Sequence, residues 1–279
     1  MNKKITINIE KVIFGNTDDS LLSALNNNHI FIPSSCSGKG TCGFCKCKVL
    51  SGDDLILPSE KPFLTQSEIE NKIRLACRVN VTRDMAVNIP EHNFLIRKFQ
   101  TRVEKVTDLT YDMKELTLRL IQPEKIEFKA GQYIQLITPI YEKSHRSVTR
   151  AYSIASSPVY DDQIKLIIRL VPEGICTTYV FEYLKEGDKL DFTGPFGDFI
   201  IQDTNADMLF IAGGSGKAPM KSMIEYLNKM GSKRRMVYFF GVRTKRDLYM
   251  TEMFYDFENK LPDFTFVPIL SNPDKDEIW

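Results

Sequence analysis

Four cysteines in the first third of the chain form its most specific chemical pattern. Cys36, Cys42 and Cys45 follow a C-x5-C-x2-C spacing, and Cys77 comes after a gap of 31 residues. Three thiolates on one loop, with a fourth supplied by the fold, are how proteins hold a [2Fe–2S] cluster. The loop is rich in glycine, which can adopt positive φ and let backbone N–H groups point at the sulfides. The pattern therefore predicts an iron–sulfur site.

Zinc and a redox-active dithiol are the alternatives to a cluster. A structural zinc site usually shows two C-x2-C pairs or cysteine–histidine pairs, whereas this chain has one C-x2-C pair and no histidine beside it. Disulfides are disfavoured because no secretory signal precedes the cysteines. Either Cys45 or Cys47 could be the third ligand on the loop. The C-x2-C spacing favours Cys45 and leaves Cys47 as a small apolar residue at the start of a strand.

A second group of residues has the side chains that a flavin dinucleotide needs. Arg150, Tyr152 and Ser153 lie within one predicted strand, Arg-Ala-Tyr-Ser. We expect Arg150 to pair with the pyrophosphate, Tyr152 to stack on the isoalloxazine and Ser153 to hydrogen-bond near N5. Tyr152 and Ser153 are therefore the candidate catalytic residues. The alternative is a strand with a surface arginine.

A glycine turn with hydroxyl groups follows this strand along the chain. Gly174, Thr177 and Thr178 stand at the start of a helix that is expected to run to Leu184. Backbone N–H groups and the helix dipole make such a start a phosphate site, although an ordinary capped helix would look similar. The two stretches together, in this order, favour bound FAD.

A third glycine-rich turn lies in the last part of the chain. A buried strand over 207–212 is followed by Gly213, Gly214 and Gly216 and then by a helix. Glycines that follow a strand and precede a helix allow the backbone to approach a pyrophosphate closely. Arg243, after the next strand, is placed to meet the adenine ribose or its phosphate. A solvated basic turn is the alternative for that segment.

Three domains are expected to position these residues. The periodicity predicts a β-grasp ferredoxin over 1–93, including a strand at 79–81. Short alternating strands punctuated by glycine and proline predict an antiparallel β-barrel, the FAD-binding domain, over 98–203. Strand–helix alternation predicts an incomplete α/β Rossmann-like NAD-binding domain over 204–279. The predicted fold is therefore multidomain.

The composition excludes several classes of partner. The chain has 279 residues and a net charge of +1, which does not indicate nucleic acid or an anionic membrane as the main partner. No apolar run approaches the ~20 residues of a membrane helix, so no transmembrane segment is predicted. The cysteines and the lack of a signal peptide predict a soluble, cytoplasmic protein with reduced thiols.

The order of these motifs resembles a known family. The cysteine loop, then Arg-Ala-Tyr-Ser, then Gly-Gly-x-Gly-x-Ala-Pro resemble ferredoxin–NADP reductase-type electron transferases fused to a [2Fe–2S] domain. More narrowly, the chain resembles the NADH-oxidising F subunit of the sodium-translocating NADH:quinone oxidoreductase over nearly its full length. Further supporting stretches are residues 74–81, 194–197, 241–246 and 270–273. The resemblance also accounts for the C-x5-C-x2-C spacing, which is one residue longer than the C-x4-C-x2-C spacing of plant-type ferredoxins.

The resemblance implies a complete set of sites. The implied cluster ligands are Cys36, Cys42, Cys45 and Cys77. The implied FAD site is Arg150, Tyr152, Ser153, Gly174, Thr177 and Thr178, and the implied NADH site is Gly213, Gly214, Gly216 and Arg243. The implied activity is hydride transfer from NADH to FAD, followed by single electrons through the cluster to a protein redox partner. NADPH remains an alternative donor, since basic residues at 243–246 could also accept a 2′-phosphate.

Differences from that family leave other functions open. The chain begins directly at the ferredoxin strand, has only a short segment between Pro139 and Arg150, and ends at Trp279 after one mononucleotide half. A fragment is therefore expected rather than a naturally short chain. The alternative functions are the reductase component of a multicomponent oxygenase and a non-catalytic electron-transfer adaptor of a larger redox complex.

Overall fold

Three β-sheets of five, six and three strands organise the chain. The computed structural model describes residues 2–36, 38–53 and 55–273. The chain divides into two compact units, the first comprising residues 1–98 with 135–137 and 148–151, and the second comprising the remainder. Within the described ranges, no helix is both long and apolar enough to span a bilayer.

The N-terminal sheet has the mixed topology of a β-grasp fold, as predicted. Its strand order is β2-β1-β5-β3-β4, with β1 and β5 parallel and the other neighbours antiparallel. The elements are β1 (Asn2–Ile7), β2 (Lys11–Asn16), α1 (Leu21–Asn27), β3 (Lys46–Ser51), α2 (Gln66–Glu70), β4 (Ile73–Leu75) and β5 (Met85–Asn88).

Both helices of this sheet begin at side-chain caps that the sequence supplies. The hydroxyl of Ser20 accepts from the backbone N–H of Ser23 at 3.2 Å, so it satisfies one of the free donors at the start of α1. Thr65 and Glu68 form a reciprocal capping box at the start of α2. Helix α1 buries its apolar face against the sheet, and this packing fixes the segment from which the cysteine loop departs.

The predicted strand at 79–81 is wrong. Val79 and Val81 are fully buried, so the alternation of apolar residues is real. Their backbones bond to the segment before α1, however: Leu21 N–H donates to the Val79 carbonyl at 2.7 Å, and Val81 N–H donates to the Asp19 carbonyl at 3.0 Å. The pairing in the sheet is made instead by β4 and β5 on either side of this segment.

The second sheet is the predicted antiparallel barrel. Its order is β10-β7-β6-β11-β8-β9, and an isolated antiparallel bridge between Ile154 and Leu166 joins the two outer strands. Both of these residues are fully buried, as is Phe192, which stacks on Phe99 at a centroid distance of 4.9 Å. The strands are β6 (Arg97–Thr110), β7 (Met113–Gln122), β8 (Tyr133–Thr138), β9 (Val148–Ser153), β10 (Gln163–Arg169) and β11 (Lys189–Phe196).

A short helical segment lies between β10 and β11. It consists of α3 (Ile175–Thr178) and a π-helical turn over Tyr179–Tyr183, so it ends one residue before the predicted position. It carries the hydroxyl-rich turn that the sequence marks as a phosphate site.

The third sheet contains three parallel strands in the order β12-β13-β14, as predicted for one βαβαβ unit. Its elements are β12 (Met208–Gly213), α4 (Lys217–Lys229), β13 (Met236–Val242), α5 (Thr251–Lys260) and β14 (Phe264–Leu270). The core is aromatic, with Tyr238, Phe240 and Phe254 fully buried. Because the strands are parallel, their carboxyl ends meet at one edge, where the glycine turn leaves β12.

Candidate functional site

The cysteine loop has the backbone conformation that its glycines predict. Gly38, Gly40 and Gly43 have φ values of +80°, +73° and +72°, which side-chain-bearing residues rarely adopt. The chain can therefore curl tightly between the cysteines, and the prediction of positive φ at these three positions is confirmed.

The fold gathers the four predicted cysteines in two pairs. The Cys36 thiol is hydrogen-bonded to Cys42, and the Cys45 thiol is hydrogen-bonded to Cys77. Among the described residues, no three cysteine, histidine or carboxylate side chains are close enough to hold one ion. A zinc site collects its ligands on one ion, whereas a two-iron cluster takes two thiolates on each iron. Two pairs of thiols are the donor set that a two-iron cluster requires.

Strand pairing brings the distant cysteine to the loop. Lys46 on β3 is opposite Leu75 on β4, and the Ala76 N–H donates to the Cys45 carbonyl at 2.8 Å. The antiparallel register therefore carries Cys77 to the side of Cys45. Cys47 points into the core instead, where burial raises the pKa of its thiol to about 12.

The thiols of the two pairs differ in their acidity. Burial opposes ionisation of Cys36, but hydrogen bonds from Thr41, Cys42 and Gly40 outweigh it and lower the pKa to about 6. The hydrogen bond to Cys45 lowers the pKa of Cys77, and the same bond, together with burial, raises the pKa of Cys45. A loop that already favours thiolate at Cys36 is suited to iron, because the thiolate is the metal ligand.

A buried ion pair stabilises β4, the strand that ends two residues before Cys77. Arg74 is 2% exposed and Glu60 is fully buried. The Arg74 guanidinium donates to the Glu60 carboxylate through Nη2 to Oε2 at 2.7 Å and through Nε to Oε1 at 2.9 Å. The carboxylate also accepts from the backbone N–H groups of Leu75 and Leu57, both at 2.9 Å. Burial alone would raise the pKa of Glu60, but these donors hold it below its usual range. The pair fixes β4 immediately before the fourth cysteine.

The two flavin stretches lie close together in the structure. Arg150, Tyr152 and Ser153 lie on β9 and are half-buried. The Tyr152 hydroxyl donates to Cys176 Sγ at 3.4 Å, which joins this strand to the first turn of α3. Tyr152 therefore lies beside the turn that contains Gly174, Thr177 and Thr178.

The hydroxyl of Thr177 is part of the turn itself. It donates to the Gly174 carbonyl at 3.1 Å and lies 3.2 Å from the backbone N–H and carbonyl of Val171. A Cβ at position 174 would lie only 2.6 Å from this hydroxyl, so the turn requires glycine there. Thr178 is buried at the same turn. The structure thus gives Thr177 a role in shaping the turn, which the sequence pattern did not indicate.

The glycine-rich nucleotide turn opens into a pocket. Gly213 ends β12, and Gly214, at φ +50°, begins a 3₁₀ turn that runs through Gly216 into α4. The pocket is lined by Gly214, Gly241 and Arg243, so two residues predicted for NADH are brought together in it. Gly213 and Gly216 do not line the pocket; they lie on either side of Gly214 in the chain, at the end of β12 and in the 3₁₀ turn before α4.

The barrel contributes residues to this pocket that sequence reasoning missed. Arg169, the last residue of β10, lines the pocket, and its Nη1 lies 3.8 Å from the position of a Cβ built on Gly214. Its Nε donates to Asp112 at 2.8 Å, which fixes the guanidinium. The signal in the sequence was a cation at the end of a strand, but nothing in the sequence linked that strand to the glycine turn.

Two further pocket residues lie in the segment between β13 and α5. The Tyr249 hydroxyl donates to the Gly214 carbonyl at 2.8 Å and so holds the turn. Asp247 accepts from the Thr244 N–H at 2.9 Å and the Thr244 hydroxyl at 2.8 Å, and these bonds outweigh burial and lower its pKa. The Thr-x-x-Asp spacing of this capping box could have been read from the sequence.

A buried amine lies beneath the same turn. Lys217, the first residue of α4, is fully buried, and its Nζ donates to the Tyr249 carbonyl at 2.6 Å. Nζ also lies 3.6 Å from the centroid of Phe240 and 4.7 Å from that of Phe254. Burial lowers the pKa of this amine to about 7.

Comparison with protein families gives three matches in the order expected from the sequence. A 2Fe-2S iron-sulfur cluster binding domain matches residues 5–82. An oxidoreductase FAD-binding domain matches residues 100–201, and an oxidoreductase NAD-binding domain matches residues 210–278.

Curated relatives match almost the whole chain. The F subunit of the Na(+)-translocating NADH-quinone reductase of a Marinomonas species is 35% identical, over 99% of this chain and 76% of the relative. The protein of the same name from Neisseria meningitidis is also 35% identical, with the same coverage. That from Pseudomonas aeruginosa is 34% identical, over 99% of this chain and 76% of the relative.

Solved structures of reductases share the fold. The Amycolatopsis cytochrome P450 reductase GcoB has a TM-score of 0.75 and 29% identity, covering 98% of this chain and 82% of its own. The ferredoxin reductase in carbazole 1,9a-dioxygenase has a TM-score of 0.70 and 26% identity, covering 100% of this chain and 82% of its own.

Proposed function

The chain belongs to the family of Na(+)-translocating NADH-quinone reductase F subunits, and we propose which of its residues perform each part of the electron transfer. The chain is an oxidoreductase that uses FAD, a [2Fe–2S] cluster and NADH. Bound FAD supplies the conversion of one hydride from NADH into two single electrons. The protein contributes binding, orientation and electrostatics.

The cluster ligands are the four cysteines of the two hydrogen-bonded pairs, Cys36 with Cys42 and Cys45 with Cys77. The observation that carries the proposal is the strand pairing that brings Cys77 beside Cys45, where the Ala76 N–H donates to the Cys45 carbonyl at 2.8 Å. Cys47 is not a ligand in this assignment, since it belongs to neither of the two cysteine pairs.

The flavin is held by β9 and the turn before α3. Arg150 neutralises the pyrophosphate, while Tyr152 and Ser153 border the ring and are the candidate catalytic residues. We assign the phosphates to the turn of Gly174, Thr177 and Thr178 at the start of α3. The hydrogen bond between Tyr152 and Cys176 supports this assignment, because it links β9 to the turn at the start of α3.

NADH occupies the pocket at the carboxyl edge of the third sheet. Gly213, Gly214 and Gly216 admit the pyrophosphate, and Arg243 lies toward the adenosine end. Arg169 adds a cation from the barrel, and Tyr249 keeps the turn in place. The acidic Asp247 in the same pocket favours a ribose with free hydroxyls over a 2′-phosphate, which supports NADH over NADPH.

The electron acceptor and the domain limits are also proposals. Curated relatives are named as subunits of a quinone reductase, and structural neighbours as reductases of other redox proteins. We assign this chain a protein redox partner that receives electrons from the cluster, and a cytoplasmic location suited to reduced thiols. The proposed domains are 1–93 for the cluster, 98–203 for FAD and 204–279 for NADH.

The reductase component of a multicomponent oxygenase is the second candidate. It is favoured by the two structural neighbours, which cover nearly the whole chain at 29% and 26% identity. The two candidates differ in their acceptor, a quinone-reducing complex or an oxygenase component. Co-purification from the native host, followed by identification of the bound redox protein, separates them.

Two artificial acceptors test the proposed route of electrons. Ferricyanide takes electrons directly from reduced flavin, whereas a one-electron protein acceptor such as cytochrome c is expected to need the cluster. We expect Cys77→Ala to keep NADH-dependent ferricyanide reduction and to lose cytochrome c reduction. The Cys47→Ala variant, which removes a cysteine outside the proposed cluster and outside the flavin site, is the matched control and should keep cytochrome c reduction. Equal cytochrome c rates in Cys77→Ala and wild type would contradict the assignment.

A further inference from the structure

Arg78, the residue after the fourth cysteine, lies against the cysteine loop. Its Nη2 donates to the Lys39 carbonyl at 2.5 Å. A Cβ atom at Gly40 would overlap the guanidinium, so the planar group packs directly on the loop backbone between Cys36 and Cys42. The side chain is half-buried rather than extended into solvent. The structure therefore holds a cation on the loop that carries three of the proposed ligands.

One donor of this guanidinium has no partner. Nε of Arg78 is shielded from solvent, and no acceptor bonds to it among the residues that the structure describes. Leaving a shielded donor unpaired is unfavourable, and more so for a charged group. Such a donor in a native structure needs an explanation, and a group that the loop binds is one. A sulfur-rich anionic cluster would supply both acceptors and negative charge.

The other charges near the loop do not cancel this cation. Lys46 is paired with Glu68 at 2.7 Å, so that pair contributes little net charge. Lys39, on the loop itself, is exposed, and its charge is screened by water. Arg78 is thus the best-shielded positive group in contact with the described part of the loop.

We propose that Arg78 is a positioning residue that raises the reduction potential of the [2Fe–2S] cluster through its fixed positive charge. This inference rests on the proposed function, because it requires the cluster on Cys36, Cys42, Cys45 and Cys77. Reduction adds one negative charge to the cluster, so a nearby cation stabilises the reduced form more than the oxidised form. The effect favours electron transfer from the flavin to the cluster.

Redox titration of the cluster in the full chain, followed by electron paramagnetic resonance, measures the effect directly. Arg78→Gln removes the charge and keeps a polar side chain of similar length. The matched control is Arg83→Gln, which makes the same change in net charge at an exposed position in the turn before β5. We expect Arg78→Gln to lower the equilibrium constant of one-electron reduction about tenfold, equal to ~59 mV. Arg83→Gln should leave the potential near that of wild type.

A second variant makes the charge titratable. Arg78→His is protonated at low pH and neutral at high pH, with an ordinary pKa near ~6.5. We expect its cluster potential to fall as pH rises through this range more steeply than that of wild type. This variant decides the question if Arg78→Gln fails to retain iron.

The outcomes separate this inference from the function on which it rests. A wild-type chain without iron and sulfide would overturn both. A wild-type chain with a cluster, but with equal potentials in Arg78→Gln and Arg83→Gln, would overturn the role of Arg78 alone. A potential of Arg78→His that follows wild type at every pH would also overturn it.

Discussion

Replacing the buried amine of Lys217 should stabilise the protein in a strongly pH-dependent way. The amine donates to the Tyr249 carbonyl and otherwise contacts aromatic rings, with no carboxylate bonded to it within the described residues. Burial lowers its pKa to about 7 from an ordinary 10.5. Lys217→Met keeps the length and the apolar contacts of the side chain but removes the charge.

The direction of the pH dependence follows from the number of protons that the folded and the unfolded chain bind. Between pH 7 and 10 the unfolded chain holds a proton on Lys217 that the folded chain has released, so the free energy of unfolding of wild type rises with pH. Each pKa unit corresponds to 1.36 kcal/mol, roughly. The two units from pH 7 to 9 therefore give a rise of about 3 kcal/mol. The methionine variant lacks this contribution, so its advantage is greatest at pH 6 and shrinks by about 3 kcal/mol by pH 9.

Urea-induced unfolding, followed by circular dichroism at pH 6, 7, 8 and 9, measures this difference. Lys229→Met is the control, because Lys229 is exposed at the end of the same helix. It should change the free energy of unfolding by the same small amount at every pH. A Lys217→Met curve that runs parallel to wild type over this range would refute the reasoning, since it would show that the amine is not desolvated.

Three further predictions concern the cluster region and the nucleotide pocket. Glu60→Gln leaves the buried Arg74 with the Asp53 carboxylate, 3.5 Å from Nη1, as its remaining anionic partner among the described residues. The change should lower the free energy of unfolding by about 3 kcal/mol, the lower end of the range for a broken buried pair, as measured by urea unfolding. A double-mutant cycle with Arg74→Met should show a large coupling, and additive effects would contradict the ion pair. Cys47→Ser should retain full iron content while Cys45→Ser loses it, and the reverse result would exchange the ligand assignment. Tyr249→Phe should weaken NADH binding about fivefold, since one hydrogen bond contributes about 1 kcal/mol, with flavin content unchanged; unchanged affinity would show that the turn holds without it.

Local patterns in the sequence predicted the elements that local forces determine. The glycines at 38, 40 and 43 imply positive φ because side chains are unfavourable there, and the structure has it. The alternation of apolar and polar residues at 79–81 correctly indicated that Val79 and Val81 are buried. Burial alone does not determine whether a segment pairs in a sheet or bonds to a loop.

The roles of Arg169, Lys217 and Arg78 could not be predicted, because each depends on contacts with residues that are distant in the sequence. Arg169 reaches the nucleotide turn because the barrel and the third sheet pack together, and no spacing along the chain encodes that approach. Lys217 would ordinarily be read as a solvated residue in the first turn of a helix, yet the aromatic residues that surround it come from three separate segments. The partner of Arg78 on the loop is likewise 39 positions away.

Anaerobic addition of NADH to the chain, loaded with FAD and iron, tests the central claim most directly. The absorbance of the flavin and the paramagnetic signal of the cluster are followed together. We expect NADH to bleach the flavin and the signal of the reduced cluster to appear in stoichiometric amount. A flavin that stays oxidised with NADH but is reduced by dithionite would contradict the claim that NADH is the electron donor. A reduced flavin beside a cluster that only dithionite reduces would contradict the route through the four cysteines.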